Sequence, residues 1–137
     1  MRSHAELFVH LVWGTWDRIP YLVAEVRPSM YRCITEQARR LDAEVIAIGG
    51  IEDHVHVLAR FAGRISIADL VKQMKGGSSR HATADLGIGT PFRWQGSYGA
   101  FTVSRRGLDP VAAYIGNQES HHRNRTLIPA LERIRAR

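Results

Sequence analysis

Cysteine is almost missing from this chain: Cys33 is the only one in 137 residues, which excludes an internal disulfide and any metal site built from several thiolates. A single thiol fits a reducing compartment and a place in the core. No stretch approaches the roughly 18 to 20 apolar residues that a membrane span requires, so no membrane is expected among the partners. The apolar run from Leu7 to Trp13 is interrupted by His10 and lacks a small-residue cleavage site, so it reads as a strand and not a signal peptide. A cytoplasmic location is the expectation. A Gly-x-x-x-x-Gly-Lys phosphate loop is also absent, and with it that route to nucleotide-driven chemistry. Acidic residues are outnumbered, thirteen against nineteen Lys and Arg; the resulting charge of +6 and pI near 10.2 favour polyanionic partners. The length suits one domain, residues 1–137, with a basic tail from about residue 123.

The chain alternates strand and helix signals. Leu7 to Thr15 is strand-like, with Leu7, Val9, Leu11 and Trp13 on one face and Phe8, His10 and Val12 on the other. Pro28 opens an amphipathic helix to about Leu41, marked by Met30, Ile34, Ala38 and Leu41. Glu44 to Glu52, broken by Gly49-Gly50, and Val55 to Phe61 read as a hairpin turning at Glu52-Asp53. Ser66 caps a second helix that Gly76-Gly77 should weaken or bend, and a loop at Gly87 to Pro91 leads to a last strand near Tyr98 to Ser104. Asp109 as N-cap and Pro110 at the first helical position start a third helix to about His122, and a short helix is possible after Pro129. This order predicts an α+β fold: a ferredoxin-like or RRM-like split βαβ sandwich, with one antiparallel sheet, helices on one face and an added C-terminal helix. Val55, Val57 and Phe61 would then face the helices. His54 and His56 would lie on the open face, joined by Phe8 and His10 if the first strand neighbours the third.

Two pairs of residues carry chemistry. On a strand His54 and His56 point the same way, about 7 Å apart, and on a helix Tyr114 and Gln118 stack on one side, about 6 Å apart. Two imidazoles and an amide oxygen can hold a divalent cation, and a tyrosine hydroxyl beside it is a nucleophile for an electrophile such as phosphate. Taken singly, each pair has a plain alternative: solvated histidines on a strand, and an amphipathic tyrosine at a core edge.

Five ordered segments resemble the single-tyrosine HUH transposases of IS200-like insertion sequences. His10-Leu11-Val12-Trp13 is similar to their first strand, Asp53-His54-Val55-His56-Val57-Leu58 to their HUH motif, and Leu70 to Gly76 to their second helix. Trp94 to Ser104 resembles their last strand, and Tyr114-Ile115-Gly116-Asn117-Gln118-Glu119-Ser120-His121-His122 their tyrosine helix. The resemblance implies that His54, His56 and Gln118 bind Mg²⁺ or Mn²⁺, and that Tyr114 attacks single-stranded DNA to leave a 5′-phosphotyrosine and a free 3′-hydroxyl. That ester conserves the phosphodiester energy, so a second strand can be joined without ATP. It also implies DNA hairpins at the element ends as partners and a homodimer whose active sites are shared between subunits. A neutral donor set of this kind should bind the cation weakly without DNA.

The remaining candidates are open between roles. His10 could be a third ligand, a phosphate contact or a packed core histidine, with the last two favoured, and His121 could support the site or be solvated. Lys72, Lys75, Arg80, Arg105, Arg106 and Arg123 are candidate phosphate contacts, while Trp94 is expected to pack in the core rather than stack on a base. Two other functions compete: a domesticated relative that cuts palindromic repeats, and a non-catalytic binder of single-stranded nucleic acid.

Overall fold

The computed structural model describes residues 4–89, 91–124 and 127–134; the chain's first three residues and part of the expected basic tail lie outside the described residues. Strands β1 (Leu7–Gly14), β2 (Glu44–Ile51), β3 (His54–Phe61) and β4 (Gly99–Val103) form one antiparallel sheet in the order β2-β3-β1-β4. Helix α1 (Arg27–Arg39) links β1 to β2, and α2 (Ile67–Arg80) links β3 to β4. This is the α+β split βαβ fold. Strand alternation decides its two faces. Val9, Leu11, Trp13, Val55, Val57 and Ala59 join Met30, Ile34 and Ala38 of α1 and Leu70, Val71 and Met74 of α2 in one core. No helix among the described residues is long and apolar enough to cross a membrane.

Both glycine pairs behave differently from expectation. β2 runs through Gly49-Gly50 without a break, because the missing side chain at Gly49 lets a C-terminal helix approach: a Cβ there would collide with the Ile115 carbonyl oxygen. α2 likewise continues through Gly76-Gly77 and then widens into a π-helical turn at His81–Asp85. At Gly77 a Cβ would strike the side chain of Gln37, so this glycine sets how closely α1 and α2 pack. Ser66 does cap α2, its hydroxyl accepting the Asp69 N–H at 3.0 Å.

The C-terminal part departs furthest from the single helix expected. Asp109 is not its cap: α3 spans Leu108–Gly116 with Gly107 at the N-cap, after a 3-10 turn in which the Ser104 hydroxyl accepts the Gly107 N–H. The chain then breaks at Asn117 (φ −108°, ψ 25°), and α4 follows over Gln118–Asn124. α3 and α4 lie across β2 and β3 on the face away from the core. The face expected to be open is therefore covered.

Candidate active site

β3 places His54 and His56 on that covered face, with ring centroids 5.1 Å apart, and both are fully buried. Each imidazole is held from behind. Asp53, in the turn before β3, bonds His54 Nδ1 at 2.8 Å, which fixes the ring and turns Nε2 into the site. The hydrogen bond from His54 holds the Asp53 carboxyl below its usual range, and Arg18 adds an ion pair at 3.3 Å. His10 reaches across from β1, its Nε2 2.8 Å from His56 Nδ1 and its ring stacked on that of His56. His10 is thus buried and packed against His56 on the covered face of the sheet, outside the core that the sheet forms with α1 and α2. Burial, together with the neighbouring His56, lowers its pKa to about 4.

The facing groups come from the C-terminal elements. Tyr114 sits edge-on to His56, with centroids 6.0 Å apart, and its hydroxyl donates to the Glu132 carboxylate while accepting the Ile128 N–H at 3.0 Å. Gln118 Oε1 lies 3.3 Å from His54 Nε2. Although Tyr114 and Gln118 belong to two helices, Gln118 Nε2 still donates to the Tyr114 carbonyl at 3.4 Å, so their i,i+4 proximity survives the break. Glu132 arrives on a 3-10 turn, Pro129–Glu132, with Oε1 3.1 Å from His56 Nε2 and 3.3 Å from His54 Nε2.

Electrostatics follow from this packing. Burial lowers His54, but Asp53 and Glu132 more than offset it and leave His54 above its ordinary value; His56, with burial dominant, lies below. Glu132 is half-buried, yet bonds from both histidines and Tyr114 hold its carboxyl far below the usual range. Burial and donation to Glu132 push Tyr114 up to about 12. Replacing Glu132 with alanine is therefore expected to lower the Tyr114 pKa from about 12 toward the ordinary value near 10. Absorbance titration near 295 nm, with Tyr114→Phe as the subtraction, reads this; an unchanged value would exclude the coupling.

His54, His56 and Glu132 each offer one donor atom, and these atoms lie within 4.8 Å of one another. Imidazole nitrogens with a carboxylate oxygen suit a divalent cation, and the orientation of His54 by Asp53 fits that use. The family model described as "Transposase IS200 like" matches residues 3–118. The chain belongs to this transposase family.

The transposase is 30% identical over 118 residues to the ISDra2 transposase TnpA of Deinococcus radiodurans, covering 82% of this chain and 84% of that protein. A crystal structure of a protein assigned as a transposase from Deinococcus radiodurans R1 matches it with a TM-score of 0.66 at 30% identity, over 86% of this chain and 98% of that one. The structure of a REP-associated tyrosine transposase bound to a REP hairpin also matches with a TM-score of 0.66, over 89% of this chain and 72% of that one. At 15% identity that likeness concerns the fold.

Within the transposase, Tyr114, His54, His56 and Gln118 converge, whereas the six basic candidates do not form one patch. Lys72 and Lys75 line a cleft of about 490 Å³ with Arg93, Trp94 and Tyr98. Lys75 is committed there, donating to the Gln95 carbonyl at 2.5 Å, and burial lowers its pKa. Arg123 lines a different cleft beside α1; Arg105 pairs with Glu6, and Arg80 and Arg106 are exposed elsewhere. Trp94 packs in the core, its indole N–H donating to the Ser78 hydroxyl at 3.0 Å.

Three site residues escaped sequence reasoning in different ways. His121 was the candidate by spacing and does stack on the Tyr114 ring, at 4.6 Å. His122 instead enters the donor cluster, its Nε2 3.2 Å from both His54 Nε2 and Gln118 Oε1. Its signal was present as the i+8 position after Tyr114. Asp53 adjoins the motif and needed only its role as an orienting acid. Glu132 is the single acid after Glu119 in an otherwise basic stretch, a contrast that could have drawn notice.

Proposed function

We propose that this transposase cuts and rejoins single-stranded DNA through a covalent tyrosine intermediate, as an HUH-type strand transferase. The observation that carries the reading is the convergence of the Tyr114 hydroxyl with two buried, oriented imidazoles on one sheet face. In this reading the Tyr114 oxygen attacks phosphorus, the bond from phosphorus to the 3′ oxygen breaks, and the proton leaving Tyr114 ends on that oxygen. A divalent cation such as Mg²⁺ or Mn²⁺, held by His54, His56 and either Gln118 or Glu132, would supply Lewis-acid polarisation of the phosphate. His10 and Asp53 hold the ligands, and His121 supports the tyrosine ring.

Glu132 changes the expectation for the cation. It brings the negative charge that a set of two imidazoles and an amide lacks, so the free protein should bind a divalent ion better than the neutral set would. In Mn²⁺ titration calorimetry without DNA, Glu132→Ala is expected to weaken binding by about tenfold or more, and His56→Ala to abolish it. Equal binding by all three proteins would remove the cation from this site.

Hairpins are proposed as the recognised DNA, supported by the REP hairpin on the related fold. The proposed unit spans the whole chain and works in the cytoplasm as a homodimer. Tyr114 approaches the histidines of its own chain, and a dimer would exchange α3 and α4 between subunits; mixing Tyr114→Phe with a His54→Ala, His56→Ala variant would restore cleavage if they are exchanged. Lys72, Lys75, Arg80, Arg105, Arg106 and Arg123 would contact phosphates from separate surfaces. The deciding experiment incubates labelled hairpin-bearing single strands with the protein and Mg²⁺, then separates the products by denaturing electrophoresis. A covalent adduct supports strand transfer; binding without an adduct supports a non-catalytic nucleic-acid binder.

A further inference from the structure

Trp16 is out of place. The residue is 46% exposed, whereas Trp13 and Trp94 are buried, and it is the only aromatic among the exposed large hydrophobic residues described. The ring does not dangle. Its backbone N–H donates to the Arg93 carbonyl at 3.0 Å, its carbonyl accepts the Ile19 N–H at 3.1 Å, and the Arg93 guanidinium lies 4.3 Å from the ring centroid. The next two residues, Asp17 and Arg18, both adopt left-handed backbone (φ 53° and 54°), a strained conformation that non-glycine residues rarely hold. An exposed indole held on a strained turn is an arrangement that core packing does not require.

The turn is also tied to the candidate active site. The Thr15 N–H and hydroxyl both bond the Asp53 carbonyl, and Asp53 holds His54. Arg18, which pairs with Asp53, and the Gln95 amide both lie over Gly14, the β1 partner of His54: a Cβ on Gly14 would sit 2.9 Å from Arg18 Nη1 and 3.2 Å from Gln95 Oε1. Beyond them opens a cleft of about 690 Å³ lined by Trp16, Asp17, Gln95, Gly96 and Ser97. Arg93 is not in that lining, so it backs the indole rather than filling the cleft.

We propose that this cleft receives an unpaired base of the DNA strand, stacked on Trp16, with Gln95 at the base edge and Arg18 at the phosphate that leads toward His54. The inference rests on the strand-transfer reading above and names where the strand lies beside the scissile bond. Every base has a π face, so the platform serves single strands and is closed to paired ones. Its volume lies within the range of small-ligand clefts.

Affinity should be measured for a hairpin alone and for the same hairpin with an unpaired extension. The extension should raise wild-type affinity; Trp16→Ala should lose that gain, about five- to hundredfold, with hairpin affinity unchanged, and Trp16→Phe should recover most of it. Wild-type emission should be quenched by the extended strand, since Trp13 and Trp94 are shielded. A Trp16→Ala protein that keeps the gain, or loses hairpin and extension affinity equally, would overturn the platform. The two readings separate cleanly: quenching by the extended strand without any Tyr114 adduct keeps the platform and sinks strand transfer, and an adduct with a silent Trp16 does the reverse.

Discussion

Tyr114→Phe is expected to abolish both strand cleavage and the covalent adduct while leaving a folded protein. The substitution removes one oxygen, and the groups around it do not take its place: Glu132 is held as a carboxylate by hydrogen bonds from Tyr114 and both histidines, whose Nε2 atoms turn to the same carboxylate oxygen. The hydroxyl also accepts the Ile128 N–H and donates to Glu132, so its loss should cost stability as well. At roughly 1 kcal/mol per hydrogen bond, that is a loss of about 1–2 kcal/mol, well within what a domain of this size tolerates. Thermal melting reads the second effect and denaturing electrophoresis the first. Adduct formation by the phenylalanine variant at the wild-type level would refute the assignment of Tyr114 as nucleophile.

Gly49→Ala is expected to damage the same reaction from a distance. A methyl group there meets the backbone carbonyl of Ile115, next to Tyr114, and backbone cannot rotate away as a side chain can. Either β2 or α3 must shift, at a cost of about 1–3 kcal/mol or more by analogy with overpacked cores. Because Ile115 is fully buried and Tyr114 precedes it, lifting α3 should carry the tyrosine off the histidines and lower cleavage further than the stability loss alone explains. Gly76→Ala is the matching control. Nothing lies within 4 Å of a Cβ there, and alanine in place of a helical glycine should stabilise by up to about 1 kcal/mol. Melting temperatures moving in opposite directions for the two variants would support this account; equal behaviour would exclude it.

The sheet and its two packed helices could be read from one dimension because each rests on a local period. Alternation along Leu7 to Trp13 and Val55 to Phe61 assigns the core face, and the Met30, Ile34, Ala38 spacing assigns the buried stripe of α1. The same alternation places His54 and His56 together, since residues two apart on a strand share a side whatever surrounds them. The glycine pairs differ from expectation for the opposite reason. A glycine in a sequence signals conformational freedom, whereas at Gly49 and Gly77 the chain is regular and the missing side chain serves a neighbour distant in sequence.

What the sequence by itself determined, then, was the fold class, the paired histidines, and the proximity of Tyr114 and Gln118, all consequences of spacing within a few residues. The tertiary structure alone decided that the histidine face is covered, that His10 backs His56, that His122 rather than His121 joins the donor cluster, and that Glu132 closes the site. Those contacts join residues 46, 68 and 76 positions apart, and no local period encodes such a separation. They exist because hydrogen-bonded pairing of β1 with β3 and packing of α3 against Gly49 bring remote segments to one face.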